Sequence, residues 1–327
     1  MKKATANTTN ILLSSTSNIA PYIEYCDKRS LDWRSIALEC GLPLELTQSN
    51  LWLPTQDLVR FIDLLERKFG YSIGIEVGIK ATLKQLSPAL HEKIEQCGSL
   101  EQAIRCLIVE IQNLSNHITI WTEYKDGFWW LCHRSCYRPS TAGFEQAEWF
   151  RTLTIISLCR CFIDPRWQPS HAKLVSSSQN SNKLPHHFHY SHLQFQQAYG
   201  AIVIPLAEGY RAIDEKTASF DWHHSVITLI NTYATLPWFN IDWFAEMLGM
   251  TKRTLQRNLK SHDILFKDEK EKIRHQKAKQ LLEQTDLSVQ EISWQVGYSD
   301  LSNFNRAFKK WANSTAPQYR RNYRNTE

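Results

Sequence analysis

The sequence predicts two domains of different class, an α+β N-terminal domain followed by an all-α C-terminal domain. Three observations predict it. The chain has 327 residues, about twice the ~150 of a typical domain, and 43% hydrophobic with 12% aromatic content supplies material for two cores. Strand-like alternation and helical periodicity mix as far as Asp214, whereas beyond it apolar spacing is helical throughout. The charge also changes there: the formal net charge is +5, and the last 95 residues hold 16 basic against 11 acidic side chains, leaving the remainder neutral. The expected organisation is a disordered leader over 1–18, an α+β domain over 19–214, a linker over 215–224 and a helical domain over 225–325.

The first residues are rich in Thr, Asn and Ser and lack periodicity, which predicts the leader. Leu58, Ile62, Leu65 and Phe69 recur at helical spacing, as do Leu100, Ala103, Ile104, Leu107 and Ile111, with Ser99 placed to cap the second helix. Gly70, Gly74, Gly78 and Pro88 punctuate the segment between them, and its turns are not typed by residue pattern. Ile118 to His133 alternates on either side of Asp126-Gly127, a hairpin signal. Phe144 to Phe162 reads as a long apolar helix, Ser176 to Asn182 as a polar loop and Ile202-Val203-Ile204 as a short buried strand.

No run approaches the ~18 apolar residues of a membrane span, since Arg160 interrupts Ile155 to Ile163. Ile11-Leu12-Leu13 is too short for a signal-peptide core, so a cytoplasmic location without membrane association is expected. The eight cysteines (26, 40, 97, 106, 132, 136, 159 and 161) contain no Cys-x-x-Cys pair and read as reduced, buried thiols.

The C-terminal domain contains an internal repeat. Ile241, Phe244, Leu248 and Gly249 correspond to Val289, Ile292, Val296 and Gly297 at an offset of 48, and Leu255, Arg257, Leu259 and Lys260 to Phe304, Arg306, Phe308 and Lys309 at 49. Each copy is a short helix ended by glycine, a turn, and a second helix capped by Thr251 or Ser299. The second helix buries Leu255 and Leu259, or Phe304 and Phe308, on one side. Its other side offers Arg253, Gln256, Arg257 and Lys260, or Ser302, Asn303, Asn305, Arg306 and Lys309, and Thr254 of the first copy is counted with them as a candidate contact. Arg suits guanine, Gln and Asn suit adenine, and Lys suits phosphate oxygens. Two helix-turn-helix subdomains are therefore expected. Ile273, Arg274, Ala278, Leu281 and Leu282 mark a linker helix between them, which would present both recognition helices to successive major grooves roughly 34 Å apart.

Leu248 to Arg257, then Arg274, Ala278 and Leu281-Leu282, then Gly297-Tyr298-Ser299-Asp300, Phe304 to Trp311 and Tyr319-Arg320 closely resemble the signature of the AraC/XylS transcription regulators. The resemblance covers about 95 residues. It implies a seven-helix DNA-binding domain with Ala307, Phe308 and Trp311 in its second core. It also implies that Arg253, Gln256, Arg257, Asn305 and Arg306 face DNA, with further contacts near Leu301 and Ser302. Asp263 and Asn313 stand at usual glycine positions, and Ala316 stands where proline is usual, with Pro317 following. A looser resemblance runs from Tyr22 to Asp214. Gly41-Leu42, Pro54, Phe69-Gly70, Ile75 to Gly78 and Ser99 to Ala103 are similar to the effector/dimerisation domain of the AraC subgroup that includes ornithine-utilisation-type regulators.

The resemblance thus implies a sequence-specific regulator of promoter DNA, an activator working with RNA polymerase. Its N-terminal domain would sense a small-molecule effector, form a homodimer, or both. Enzymatic motifs such as a phosphate loop, a Gly-x-Ser-x-Gly elbow or His-Glu-x-x-His do not occur. No catalytic residue, cofactor or metal ligand is assigned. The competing class is a DNA-associated metal or thiol sensor, or an enzyme with a catalytic N-terminal half. His186, His187, His189 and His192 could serve it as metal ligands, although a surface segment is the better reading of them. Trp121, Trp129 and Trp130 read first as core packing and second as the wall of an effector pocket.

Overall fold

The computed structural model describes residues 10–43, 51–70, 72–177, 192–216 and 221–325. The chain divides into a unit spanning Leu12–Phe220 and a second containing Asp221–Glu327.

The first unit is α+β. Strand β1 (Leu13–Ser15) pairs antiparallel with β2 (Trp52–Pro54), and helices α1 (Ala20–Lys28) and α2 (Trp33–Glu39) lie between them in the chain. The leader expected over 1–18 is therefore corrected from Leu13 onward. Ser14 and Ser15 look like leader residues but are buried, and the Ser14 hydroxyl bonds Thr55 at 2.9 Å and His117 at 3.2 Å. Helices α3 (Thr55–Phe69), α4 (Ile73–Lys80), α5 (Leu83–Leu86), α6 (Pro88–Glu95) and α7 (Leu100–Glu110) follow. The Ser99 hydroxyl accepts from Gln102 N at 3.3 Å, closing the expected cap of α7.

A five-stranded sheet is built from β3 (Ile118–Lys125), β4 (Phe128–Ser135), β5 (His171–Lys173), β6 (His192–Gln194) and β7 (Gly200–Ile204), in the order β3-β4-β7-β5-β6. The expected hairpin joins β3 to β4, with Asp126 (φ 56) and Gly127 (φ 81) both left-handed, as a two-residue type I′ turn requires. The period of two divides the hairpin between two cores. Ile118, Ile120 and Leu131 join the main core with Ile104 and Leu107 of α7 and with Leu153 and Ile156 of α8 (Phe144–Arg160). Trp121, Trp130 and Cys132 form a small cluster with Ala201, where Lys173 Nζ lies 3.8 Å from the Trp130 ring centroid. His186, His187 and His189 lie outside the described residues; His192 stacks on His171 at 4.8 Å.

The second unit is all-α, with seven helices among the described residues. They are α9 (Trp222–Tyr233), α10 (Ile241–Met247), α11 (Lys252–Ser261), α12 (Phe266–Gln284), α13 (Val289–Gln295), α14 (Leu301–Ala312) and α15 (Ala316–Arg324). Helix α9 begins inside the segment expected to be linker, because Asp221 caps it through His224 N at 3.2 Å and Trp222 is buried against His262. An aromatic cluster of Tyr233, Phe239, Phe244 and Phe266 fills the first half of the unit. Ala278, Leu282, Ile292, Val296, Phe304 and Phe308 fill the second. Helix α12, 19 residues and so about 28 Å long, contributes to both.

Candidate nucleic-acid interface

The first helix-turn-helix is α10-turn-α11. The Asn240 side chain caps α10 by accepting from Asp242 N at 2.9 Å and Trp243 N at 3.0 Å. Gly249 (φ 64) ends the helix, and Thr251 caps α11 through Thr254 N at 3.2 Å. In the second copy, Ser288 and Glu291 close a reciprocal capping box on α13, and Gly297 (φ 83) makes the turn. The cap of α14 is Asp300, accepting from Asn303 N at 2.8 Å, and not Ser299 as expected. The extra residue in this turn moves the N-cap position one step along the chain.

Leu255 and Leu259 on α11 and Phe304 and Phe308 on α14 are buried, which aims the opposite faces at solvent. Arg253, Gln256, Arg257 and Lys260 occupy positions i, i+3, i+4 and i+7 on α11 and are exposed. Ser302, Asn305, Arg306 and Lys309 repeat that spacing on α14, 49 residues later, and are exposed as well. Asn303 is exposed beside them and accepts from Arg306 Nη2, which holds that guanidinium along the helix. Thr254 and Leu301 differ: Thr254 is half-buried with its hydroxyl 2.9 Å from that of Thr251, and Leu301 packs against the second core. Among the described residues no ion pair engages Arg253, Arg257, Lys260, Arg306 or Lys309, whereas neighbouring Lys252 is held by Asp242 at 2.9 Å. Exposed Lys310, next to Lys309, adds a basic group that face periodicity alone does not select.

Arg274 ties the two halves together. Midway along α12, it donates from Nε to Ala234 O at 2.8 Å and from Nη2 to Leu236 O at 3.3 Å, satisfying carbonyls at the end of α9. Its guanidinium also lies 4.9 Å from the ring centroid of Tyr298, in the turn of the second copy, whose hydroxyl donates to Glu271 at 2.7 Å. Asp263 (φ 57) and Asn313 (φ 53) take the left-handed conformation where glycine is usual, as short polar side chains can. Ala316 is buried in the second core, and Pro317 sits within the first turn of α15, where a missing N–H is harmless.

Residues 244–322 match the family described as a helix-turn-helix domain. The C-terminal domain is of the AraC type. This AraC-type domain has curated relatives that are themselves regulators. The chain is similar to the ornithine utilization regulator of Pseudomonas aeruginosa, 33% identical over 81 residues, covering 25% of this chain and 24% of that one. It is 37% identical over 76 residues to the HTH-type transcriptional regulator VirS of Mycobacterium tuberculosis, covering 23% and 22%. A solved structure, the C-terminal domain of the response regulator yesN from Fusobacterium nucleatum, matches 30% of this chain and 97% of its own at 33% identity, with a TM-score of 0.29. The chain thus spans about a quarter of the length of these two curated relatives.

In the other unit Cys26, Cys40, Cys132 and Cys159 are buried as expected, and burial pushes the Cys26 thiol up to about 12 and the Cys40 thiol up to about 11. Cys97 and Cys106 are half-buried and Cys136 and Cys161 are exposed, which corrects the expectation that all eight are buried. Among the described residues no three His, Cys, Asp or Glu side chains gather as a metal site, and no helix is long and apolar enough to cross a membrane.

Proposed function

We propose that the chain is a sequence-specific transcription regulator, not an enzyme, that binds double-stranded promoter DNA through α11 and α14. The observation that carries this reading is the pair of equivalent faces, each with exposed Arg and Lys at matching positions and Gln256 or Asn305 immediately before the arginine. Guanidinium and ammonium groups without carboxylate partners among the described residues suit phosphates and guanine edges, and the amides suit adenine. Regulator names among the relatives of the AraC-type domain support it. The candidate contacts are Arg253, Thr254, Gln256, Arg257, Lys260, Leu301, Ser302, Asn303, Asn305, Arg306 and Lys309, with Thr254 and Leu301 reached only at the helix ends.

The protein acts as an activator with RNA polymerase, and its N-terminal unit senses a small molecule, dimerises, or does both. An effector changes DNA binding only by favouring one arrangement of the protein, since equal affinity for both shifts nothing. Selection of bound sequences from a random-core duplex pool by the full-length protein tests the reading. Two enriched half-sites about one helical turn apart are expected. A pool without enrichment would refute it.

A further inference from the structure

The N-terminal unit holds a partly open cavity of about 110 Å³, with Leu58, Ile62, Leu107, Ile118, Phe150 and Leu158 on its wall. None of the tryptophans of the β3-β4 hairpin lines it. Several polar wall groups satisfy one another: the Ser14 hydroxyl bonds Thr55 and His117, and the other ring nitrogen of His117 lies 3.2 Å from the Ser135 hydroxyl. Two others do not.

Tyr22 is 0% exposed with its ring 4.9 Å from that of Phe150, and its hydroxyl has no hydrogen-bond partner. Native interiors seldom leave a buried hydroxyl unmatched, so this one points to something the cavity receives. Arg151 lines the same cavity and interacts electrostatically with Tyr22. It donates through Nε to His133 Nδ1 at 3.0 Å, and neither terminal nitrogen of its guanidinium is engaged by a described residue. Glu148, one turn earlier on α8, attracts Arg151 but is not within ion-pair distance. Its oxygens accept from Val175 N and Ser176 N at 2.8 Å each, and from the Ser176 hydroxyl.

The arginine is held in place by the fold. Because His133 Nδ1 accepts from Arg151, Nε2 carries the proton and donates to Thr152 Oγ1 at 3.2 Å, which in turn donates to Glu148 O at 2.9 Å. The His133 ring occupies the space a Cβ at Gly200 would need, 2.2 Å from that position, so a glycine on β7 makes room for the residue that orients Arg151.

We propose that this cavity binds a monocarboxylate with an apolar body, the carboxylate accepting from Arg151 and Tyr22 and the body lying among the aliphatic side chains. One guanidinium fork and one hydroxyl match a single carboxylate, while a doubly charged phosphate would leave oxygens unmatched. On the scale where one water needs roughly 10–15 Å³, the cavity admits on the order of eight to ten non-hydrogen atoms, the size of hexanoate to octanoate. The proposal rests on the reading of this unit as a sensor and names the chemical class it senses.

Calorimetric titration of the full-length protein with octanoate and with 1-octanol tests it. Octanoate binds saturably at one per chain, and 1-octanol binds about tenfold more weakly or worse, the factor expected for a lost charge-assisted hydrogen bond. Arg151→Gln abolishes the difference between the two. Tyr22→Phe leaves thermal stability unchanged or raised, because it deletes an unmatched hydroxyl, and weakens octanoate about threefold or more. Absent octanoate binding, equal affinities for the two ligands, or unchanged octanoate affinity in Arg151→Gln overturns the proposal. Should Arg151→Gln fail to fold, unchanged octanoate affinity in Tyr22→Phe overturns it alone. The same preparation is assayed on the random-core duplex pool. Sequence enrichment without octanoate binding overturns the carboxylate site and leaves the regulator intact, whereas octanoate binding without enrichment overturns the regulator and leaves the site.

Discussion

Alanine at Gly249 and at Gly297, equivalent positions of the repeat, should have unequal effects. Both glycines are left-handed, at φ 64 and φ 83, so alanine costs about 1–2 kcal/mol at either from backbone strain alone. Around Gly249 nothing lies within 4 Å of where a Cβ would stand. At Gly297 that Cβ would stand 2.3 Å from Thr235 O, about 1 Å inside an ordinary contact. The carbonyl cannot swing away freely, because Ala234 O and Leu236 O on either side both hold Arg274. Overpacking of this kind adds about 1–3 kcal/mol, giving roughly 3–5 kcal/mol for Gly297→Ala against 1–2 for Gly249→Ala. Amide hydrogen exchange on the full-length protein, followed in peptides from α12 and α14, reads both losses. Unfolded-state entropy changes alike in the two variants, so their difference isolates the contacts at Gly297 with Thr235 O and with Arg274 Nη2, which would lie 2.8 Å from the added Cβ. Equal losses, within about 0.5 kcal/mol, would refute the reasoning.

Arg257→Ala and Arg306→Ala should each weaken binding to the selected duplex by about 1–3 kcal/mol and relax preference at one base position; unchanged anisotropy titrations at fixed salt would refute those contacts. Lys260→Ala and Lys309→Ala, as phosphate contacts, should weaken specific and random duplexes alike and lower the salt slope by about one, so an unaltered slope assigns these lysines to solvent. His117 is held neutral by burial and by Arg151, its pKa falling to about 3, so the folded protein binds fewer protons than the unfolded chain between pH 3 and 6.5. Its contribution is complete above the unfolded value near 6.5 and is lost as pH falls toward 3, at up to about 1.4 kcal/mol per pH unit. Asp57, pushed up to about 7 by burial, acts with the opposite sign over this window and buried His133 with the same sign, so the test is a difference. In urea titrations the stability of the unsubstituted protein relative to His117→Gln should fall as pH falls from 6.5 to 4.5, and a difference flat over that range contradicts it.

The helical half was legible because local rules and the tertiary fold agree there. Glycine stops and an i, i+4 apolar pair each state the same layout, and the repeat states it twice, while the hydroxyl cap holds at Thr251 and gives way to Asp300 in the second copy. The N-terminal half was less legible where a residue's role depends on a distant partner. Gly74 and Gly78 look like turn signals, yet both lie in α4, where a Cβ at Gly74 would stand 2.0 Å from Gln146 O and one at Gly78 3.0 Å from Leu153 Cβ. They are absences that let α4 approach α8, and no window of sequence around them contains α8. Ser14 of β1 likewise resembles a solvated leader residue until Thr55 and His117 arrive to bond it. Arg151 is hidden for the same reason: in sequence it is one charge in an apolar helix, and its unused nitrogens emerge only when His133, Tyr22 and the cavity wall are assembled around it.

Between the two recognition helices, equivalence of position does not make equivalence of chemistry. At the shared spacing α11 carries Arg253, Gln256, Arg257 and Lys260, while α14 carries Ser302, Asn305, Arg306 and Lys309. The first face therefore has three cations without carboxylate partners among the described residues. The second has two, one of them already bonded to Asn303. Counterion release scales with the phosphates neutralised, so α11 should supply the greater share of salt-dependent affinity. On α14 the Asn303 carboxamide restrains Arg306, narrowing the geometries in which that guanidinium can meet a base and making it the better placed for a single register. Asn303→Ala separates these effects. If Asn303 pre-orients Arg306, the variant loses discrimination between the selected duplex and its mismatched forms while nonspecific affinity and salt slope hold; if Asn303 contacts DNA by itself, loss persists in an Arg306→Ala background, where pre-orientation has nothing left to orient.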